Sequence, residues 1–202
     1  MAGTSFYSTS IQLSVCLAIT ILVKSVSSAP VSVASSGDTG NKNSVADTAK
    51  IIAEEARELY EEVCKTPNLC TNSMEHNLKQ ELNLPQITNR CLSKQFNKDE
   101  CLPKIHRDLL RFQKYLTFLK KALKSEKEKV ESVQHKTKTL AEAIKNMEKN
   151  LYEEKEVTGT DIPMENLPSK DAWSEKLTTY LILQSFRNYM INTSRAIRNS
   201  SG

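Results

Sequence analysis

The connections between four amphipathic segments constrain the fold of this chain more than any other feature of its sequence. In each segment, apolar residues recur at steps of three and four, which is the spacing of one face of a helix. We name these predicted segments helix A (44–64), helix B (99–123), helix C (130–151) and helix D (171–198). The sequence therefore predicts an all-α chain.

The predicted core positions share this helical spacing. They are Val45, Ala49, Ile52, Ala56, Leu59 and Val63 in helix A, Leu102, Ile105, Leu109, Phe112, Leu116, Leu119 and Leu123 in helix B, Val130, Val133, Thr137, Leu140, Ile144, Met147 and Leu151 in helix C, and Leu177, Tyr180, Leu181, Leu183, Phe186, Met190 and Ile197 in helix D. We expect Asp99 to cap helix B, with Pro103 tolerated in its first turn.

Helices B and C follow each other without a Gly or Pro between them. One long coiled coil is therefore an alternative to two separate helices. Residues 124–129 carry no apolar side chain, however, and the apolar phase restarts at Val130. We therefore predict a tight turn between two antiparallel helices.

The connections on either side of this turn are long. Helix B follows helix A after a connection that contains a possible short helical turn at Glu75 to Leu82, and helix D follows residues 153–170. A long link lets consecutive helices run parallel, whereas a short link makes them antiparallel. The order long, short, long predicts a long-chain four-helix bundle, up-up-down-down, with two long crossover loops.

The N-terminus resembles a secretory signal. An apolar run from Ile11 to Val23 precedes small residues, which predicts a signal peptide over 1–29. Its thirteen residues are fewer than the roughly 20 that a membrane-spanning helix needs. We expect a disordered tail over 30–43, a helical domain over 44–202, and a secreted, extracellular protein without a membrane anchor.

The cysteines predict two disulfides. Removing the signal peptide leaves Cys64, Cys70, Cys91 and Cys101, an even number in an oxidising compartment. Their spacing favours sequential pairing, which closes two small loops worth about 2 to 3 kcal/mol each. Zinc is the alternative, but structural zinc usually takes cysteines two to four residues apart.

The charge balance of the chain excludes few classes of partner, and it does not indicate a bound cofactor. The net charge of +4 is too small to indicate a nucleic-acid partner. The basic run from Lys120 to Lys129 contains Glu126 and Glu128, so it fits a solvated helix face better than a heparin site.

Two other classes of protein are alternatives. The stretch His106 to Leu110 matches the start of a kinase catalytic loop, but no glycine-rich loop accompanies it, and His76, His106 and His135 lack metal-binding spacing. We therefore do not expect an enzyme, a metal or a cofactor. A lipid carrier of the apolipoprotein type also has amphipathic helices, but two disulfides and irregular crossovers fit a closed bundle better.

Several segments resemble the interleukin-6 family of long-chain helical cytokines, in the family's order. They are "VCKTPNLC", "ELNLP", "CLPKI", "LLRFQKYLTFL", "VQHKTKTL" and "LTTYLILQSFRNYMINTSRAIR". The resemblance covers residues 44–198 and implies a secreted signal of immune, inflammatory and acute-phase responses that is a monomer when free. It also implies the same cysteine pairing.

The resemblance implies two kinds of receptor and three surfaces. The first surface binds a specific interleukin-6-type alpha receptor through Leu92, Phe96, Arg195 and Arg198. Leu92 stands where the family has an aromatic residue. From the residues alone, Phe96 is either an anchor for the receptor or a cap over the end of the bundle.

The second surface binds a shared signal-transducing receptor chain of the glycoprotein-130 type. It lies on the exposed sides of helices A and C, at Ile51, Glu55, Lys136 and Thr139. These four residues differ from the family's pattern.

The third surface contacts a second copy of the shared chain, around Trp173, Leu82 and Leu84. From the residues alone, Trp173 is either a core residue or an exposed anchor, with core packing slightly favoured.

Two sequons, at Asn192 and Asn199, predict glycosylation near the first surface. A glycan on Asn192 would have to point away from Arg195 for receptor binding to survive.

Overall fold

A computed structural model gives the fold. It describes residues 37–67, 69–70, 75–149, 167 and 171–200. The predicted signal peptide, with most of the connection between helices C and D, lies outside the described residues. The helix bounds are α1 Gly37–Cys64, α2 Glu75–Leu82, α3 Asn89–Leu92, α4 Lys98–Ala122, α5 Lys127–Lys149 and α6 Ala172–Asn199. Predicted helices A, B, C and D correspond to α1, α4, α5 and α6, and α2 matches the predicted short turn.

The ends of α1 and α6 show that these two helices are antiparallel. Tyr60, near the end of α1, packs on Tyr180, near the start of α6, with ring centroids 5.4 Å apart. At the other end of the pair, the Arg198 guanidinium donates to Asp47 Oδ1 at 2.9 Å. The last turn of α6 therefore lies beside the early turns of α1.

Contacts of α4 give the remaining directions. Gln113 of α4 donates to the carbonyl of Gln134 in α5 at 2.9 Å, and Lys120 lies 3.5 Å from Glu131, so α4 and α5 are antiparallel. Against α6, Tyr189 donates to Asp108 and Phe112 packs on Phe186, so residue numbers again run in opposite directions. The up-up-down-down bundle is confirmed.

The predicted apolar faces meet in one core. Every predicted core position from Val45 to Leu119 is buried, as are Val130, Val133, Thr137, Leu140, Ile144 and the helix D set. Leu123 and Met147 are partly buried against that core, and Leu151 lies outside the described residues. At the centre, Phe112 lies 5.0 Å from the rings of both Phe186 and Tyr189.

The first helix begins earlier than the sequence predicted. We expected a disordered tail over 30–43, but α1 begins at Gly37, so residues 37–43 are helical. This polar stretch has no apolar periodicity that could reveal a helix. Once the apolar turns from Val45 onward have formed, adding residues to a helix is far less costly than starting one.

The start of α4 also differs from the prediction. Asn97, not Asp99, is the N-cap, and its side-chain oxygen accepts a hydrogen bond from the Asp99 amide at 3.0 Å. Since α4 begins at Lys98, Pro103 lies in the second turn rather than the first. The fully buried Leu102 and Ile105 on either side of Pro103 hold the helix in place there.

The turn between α4 and α5 is a short 3-10 helix, Lys124–Glu126. It confirms the tight turn and excludes one long coiled coil. Lys124 and Ser125 are exposed in this turn. None of the described helices is both long enough and apolar enough to cross a membrane.

Candidate functional site

The two disulfides pair as predicted. Cys64 is bonded to Cys70 with Cα atoms 5.7 Å apart, and Cys91 is bonded to Cys101 with Cα atoms 5.6 Å apart. Cys101 is in the first turn of α4, so its bond fixes α3 to that helix. In the part of the chain that the structure describes, no cluster of His, Cys, Asp and Glu could hold a metal ion.

A side-chain hydrogen bond brings the loop closed by Cys91–Cys101, which we call the disulfide loop, to the end of α6. Asn199 Nδ2 donates to the carbonyl oxygen of Leu92 at 2.9 Å. Leu92 and Phe96 are partly buried against the core, so Phe96 is neither a fully exposed anchor nor a buried cap. Two chain segments that are about a hundred residues apart in sequence thus form one surface.

Arg195 and Arg198 are exposed on the α6 side of this surface. They lie one turn apart on the helix. Arg198 forms an ion pair with Asp47 of α1, whose carboxylate sequence reasoning missed. The partner is 151 positions away in the chain, and no local spacing could have revealed it.

A second surface lies where α1 and α5 pack side by side. Ile51 is 53% exposed, the largest exposure of any large apolar side chain among the described residues. Next to it along α1, Glu55 forms an ion pair with Lys136 of α5. Thr139 is exposed one turn further along α5. The structure therefore brings all four predicted residues of this surface to one pair of helices.

The third predicted surface is only partly accessible. Trp173 is 41% exposed, so the slightly favoured prediction that it packs in the core is wrong. Asp171 Oδ1 caps α6 by accepting from the amides of Trp173 at 2.9 Å and Ser174 at 2.8 Å. The capped first turn of α6 therefore carries the exposed indole of Trp173.

Leu82 and Leu84 differ in accessibility. Leu82 is only 4% exposed and belongs to the hydrophobic core. Its side chain is therefore not available to a receptor, contrary to the prediction. Leu84 is partly buried, with some of its side chain accessible. No sequence pattern distinguishes these two leucines, which stand two positions apart.

The two sequons occupy different environments. Asn192 is partly buried within α6, and the Thr193 and Ser194 that complete its sequon are buried. Asn199 is exposed at the last residue of the helix. Asn199 is thus the more accessible of the two.

Four packed helices in up-up-down-down order, held by two disulfides, form the architecture found in long-chain helical cytokines. The exposed large apolar side chains among the described residues are Ile51, Leu110 and Trp173, so the apolar stripes face one another and not a lipid surface. The family to which such a bundle belongs follows from comparison with known proteins.

The chain belongs to the Interleukin-6/G-CSF/MGF family, whose model matches residues 32–200. It is 38% identical over 157 residues to Interleukin-6 of Gallus gallus, covering 74% of this chain and 64% of that protein. It is 34% identical to Interleukin-6 of Saimiri sciureus, covering 69% of this chain and 68% of the relative. Interleukin-6 of Orcinus orca is also 34% identical, over 74% of this chain and 75% of its own length. The family is one of cytokines, which act through receptors and are not a class of enzymes.

Proposed function

We propose that the protein is a secreted cytokine that binds a specific alpha receptor and then a shared signal-transducing receptor chain. The observation that carries this proposal is the hydrogen bond from Asn199 to Leu92. It joins the disulfide loop to the end of α6 and so assembles the residues of the alpha-receptor surface from two distant parts of the chain.

The alpha-receptor surface combines cations with partly buried apolar groups. Arg195 and Arg198 are exposed beside Leu92 and Phe96, which pack against the core. Binding hot spots are enriched in aromatic residues and Arg, and a prearranged surface loses less entropy on binding. An acidic group on the receptor would complement Arg195, because Arg198 already forms an ion pair with Asp47.

The shared receptor chain is proposed to bind the α1–α5 surface. Ile51 offers exposed apolar area, and the ion pair of Glu55 with Lys136 flanks it. Because these two charges already neutralise each other, Ile51 is the residue on which affinity should depend most. A second copy of the shared chain is proposed to contact Trp173 and Leu84.

Glycosylation is proposed at Asn199, the more accessible of the two sequons. A glycan there would be attached to Nδ2, which keeps one N–H to donate to Leu92, and it would stand at the edge of the alpha-receptor surface. Ser201→Ala removes this sequon without changing the Asn199 side chain, and mass spectrometry of the secreted protein would show whether a glycan is lost.

Stepwise binding to purified receptor ectodomains tests the proposal. Arg195→Glu should weaken alpha-receptor binding at least tenfold, since one 1.4 kcal/mol interaction is worth about that factor. Ile51→Asp should leave that step intact and weaken capture of the shared chain by the binary complex. Trp173→Ala should leave both steps intact and prevent only the final assembly.

The controls are matched to each change. Arg107→Glu alters an exposed arginine of α4, and Leu110→Asp alters an apolar residue that is 37% exposed on the same helix. Neither control should affect any binding step. If all three test variants weaken the same step, or if circular dichroism shows that they unfold, the assignment of separate surfaces is wrong.

A further inference from the structure

Three side chains of α4 hold the end of α2 and the residues that follow it. We call residues 82–87, which begin with the last residue of α2, the crossover segment. Each of the three donates a hydrogen bond to a main-chain carbonyl of this segment. The bonds are Lys104 Nζ to Gln86 O at 2.8 Å, Arg111 Nη2 to Asn83 O at 2.8 Å and Tyr115 Oη to Leu82 O at 2.7 Å.

Asp108 connects two of these donors. Its Oδ2 accepts from Lys104 Nζ at 2.5 Å, and its Oδ1 lies 3.9 Å from Arg111 Nη1. Asp108 is only 4% exposed, although it is an acidic residue in the middle of a helix. A buried carboxylate is costly unless cations and hydrogen bonds compensate it. Its charge therefore fixes the positions of both cations.

Tyr189 of α6 completes the network. Its hydroxyl donates to Asp108 Oδ2 at 3.1 Å, and its ring packs 5.0 Å from that of Phe112. Burial, together with the neighbouring carboxylate, raises the pKa of Tyr189 well above its usual value, so the hydroxyl keeps its proton. Tyr189 of α6 thus holds the Asp108 carboxylate in place, and that carboxylate in turn orders Lys104 and Arg111 of α4.

The crossover segment does not rest on close-packed side chains along its whole length. Leu82 and Pro85 are buried, but a groove of about 580 Å³, open to solvent, lies beside Pro85. Its lining includes Asn83, Leu84, Gln86, Lys104, Asp108 and Arg111. Where packing is absent, the polar bonds decide how the segment is oriented.

The second residue of the segment has an unusual backbone conformation. Asn83 has a φ of 43°, in the left-handed region that asparagine tolerates better than most residues. It directly follows the last residue of α2 and turns the chain there. Because its carbonyl accepts from Arg111, the turn is held to α4 at this residue.

We propose that Asp108 is a positioning residue for receptor assembly. By ordering Lys104 and Arg111, it fixes the crossover segment and so presents the accessible part of Leu84 to the second copy of the shared receptor chain. The receptor part of this inference rests on the proposed function, whereas the effect on the crossover segment does not.

Hydrogen exchange of the full chain tests the first part. Asp108→Asn keeps the shape of the side chain but removes the charge that orders the two cations. The three bonds end on carbonyl oxygens, so the readout is the Asn83 amide, which donates to the Gln80 carbonyl at 3.3 Å. Once the segment is no longer held to α4, this amide should exchange about tenfold faster. Exchange in the rest of the bundle should stay unchanged. Arg107→Gln is the matched control, since Arg107 is exposed on the same helix and makes none of the three bonds.

A second variant tests the same network with a smaller change, in case Asp108→Asn does not fold. Tyr189→Phe removes one hydrogen bond to Asp108 but retains the ring that packs on Phe112. It should produce a smaller acceleration confined to the same segment. Unchanged exchange in both variants would overturn the proposal.

Receptor binding tests the second part. The Asp108→Asn variant should bind the alpha receptor as the unmodified chain does, but its complexes should recruit the second shared chain about tenfold more weakly. Faster exchange with normal recruitment would overturn the link to Leu84. If the unmodified chain bound no receptor while the exchange result held, the proposed function would fail and the positioning of the segment by Asp108 would stand.

Discussion

At the scale of single residues, the start of α6 joins a titratable cap to an exposed indole. The hydrogen bond from the amide of Ser174, supported by that of Trp173, lowers the pKa of the Asp171 carboxyl below its usual value. The cap also contains the reverse bond, in which the Asp171 amide donates to Ser174 Oγ at 3.1 Å. The first turn of the helix is therefore linked to the protonation of one side chain.

This linkage predicts a local pH dependence. Since the pKa is lower when the cap is formed, the cap stabilises the turn fully above the usual carboxyl value of about 4 and loses this effect as the pH falls through the lowered pKa. The sequence has one tryptophan, so emission from Trp173 reports on this turn directly. Acid titration of the native protein should change that emission at a pH below 4.

Asparagine supplies the control, because it caps a helix well but does not titrate. Asp171→Asn should flatten the emission change in acid, and Asp171→Ala should resemble the acid form even at neutral pH. An Asp171→Asn protein that titrates like the unmodified chain would show that another group is responsible.

Single residues also show where sequence reasoning reaches its limit. Burial at helical spacing was predicted correctly, because it depends only on periodicity. The burial of Asp108 depends on Tyr189, a partner from a distant segment that no local pattern encodes. The exposure of Trp173 was not predicted either, because a tryptophan at a helix start fits both a core and a surface position. A possible signal for Asp108 was its place between Lys104 and Arg111, at the four- and three-residue spacings that allow contact on a helix.

At the scale of elements, α4 combines three kinds of contact. It carries the ring of Phe112 at the centre of the core, the donors to the crossover segment and one half-cystine. Its side chains thus connect the core to the second and third surfaces through α5 and the crossover.

Truncation of Phe112 should accordingly destabilise the whole bundle. The side chain is fully buried and meets the rings of Tyr115, Phe186 and Tyr189. Phe112→Ala should lower the free energy of unfolding by about 3 to 5 kcal/mol, as large aromatic truncations do. Chemical denaturation followed by circular dichroism measures this loss.

Leu110→Ala is the comparison on the same helix. Because Leu110 is partly exposed, its truncation should change the free energy of unfolding by no more than about 0.5 kcal/mol. Equal losses for the two variants would mean that the aromatic cluster contributes nothing beyond the helix itself.

Element boundaries were predicted less well than element positions. All four long helices were predicted, since their apolar faces are long and regular. The early start of α1 and the cap at Asn97 were not, because polar residues at a helix end carry no period. Tertiary packing and cap geometry decide these positions.

At the scale of the whole molecule, the two disulfides secure both ends of the first crossover. Cys64–Cys70 lies where α1 ends, and Cys91–Cys101 lies where α4 begins. Each loop is short, so each bond should contribute about 2 to 3 kcal/mol by restricting the unfolded chain. Their effects on function should differ, because only the second holds Leu92 and Phe96.

Removing the two disulfides one at a time distinguishes their effect on stability from their effect on alpha-receptor binding. Replacing Cys91 and Cys101 by Ser should lower the melting temperature and also weaken alpha-receptor binding at a temperature where the protein remains folded. Replacing Cys64 and Cys70 should lower the melting temperature to a similar degree but leave that binding intact. Equal binding by both double variants would show that the disulfide loop is not part of the receptor surface.

The overall topology could be predicted from connection lengths alone, whereas the surfaces could not. Residue patterns indicated neither which loop meets α6 nor that Leu92 accepts from Asn199, because that hydrogen bond spans 107 positions. Resemblance to a family supplied the candidate residues. The structure then separated the accessible ones, such as Ile51, from the buried Leu82.

The ion pair between Asp47 and Arg198 has a practical consequence for engineering. It shows that the first turns of α1 and the last turn of α6 lie at one end of the bundle, the end that also carries the proposed alpha-receptor surface. A fluorescent protein fused near either helix end would therefore crowd that surface. The exposed turn at Lys124–Glu126 lies at the opposite end, since α4 and α6 run in opposite directions. A circular permutant opened at that turn, with the old ends joined by a flexible linker, would carry its fusion partner away from the receptor.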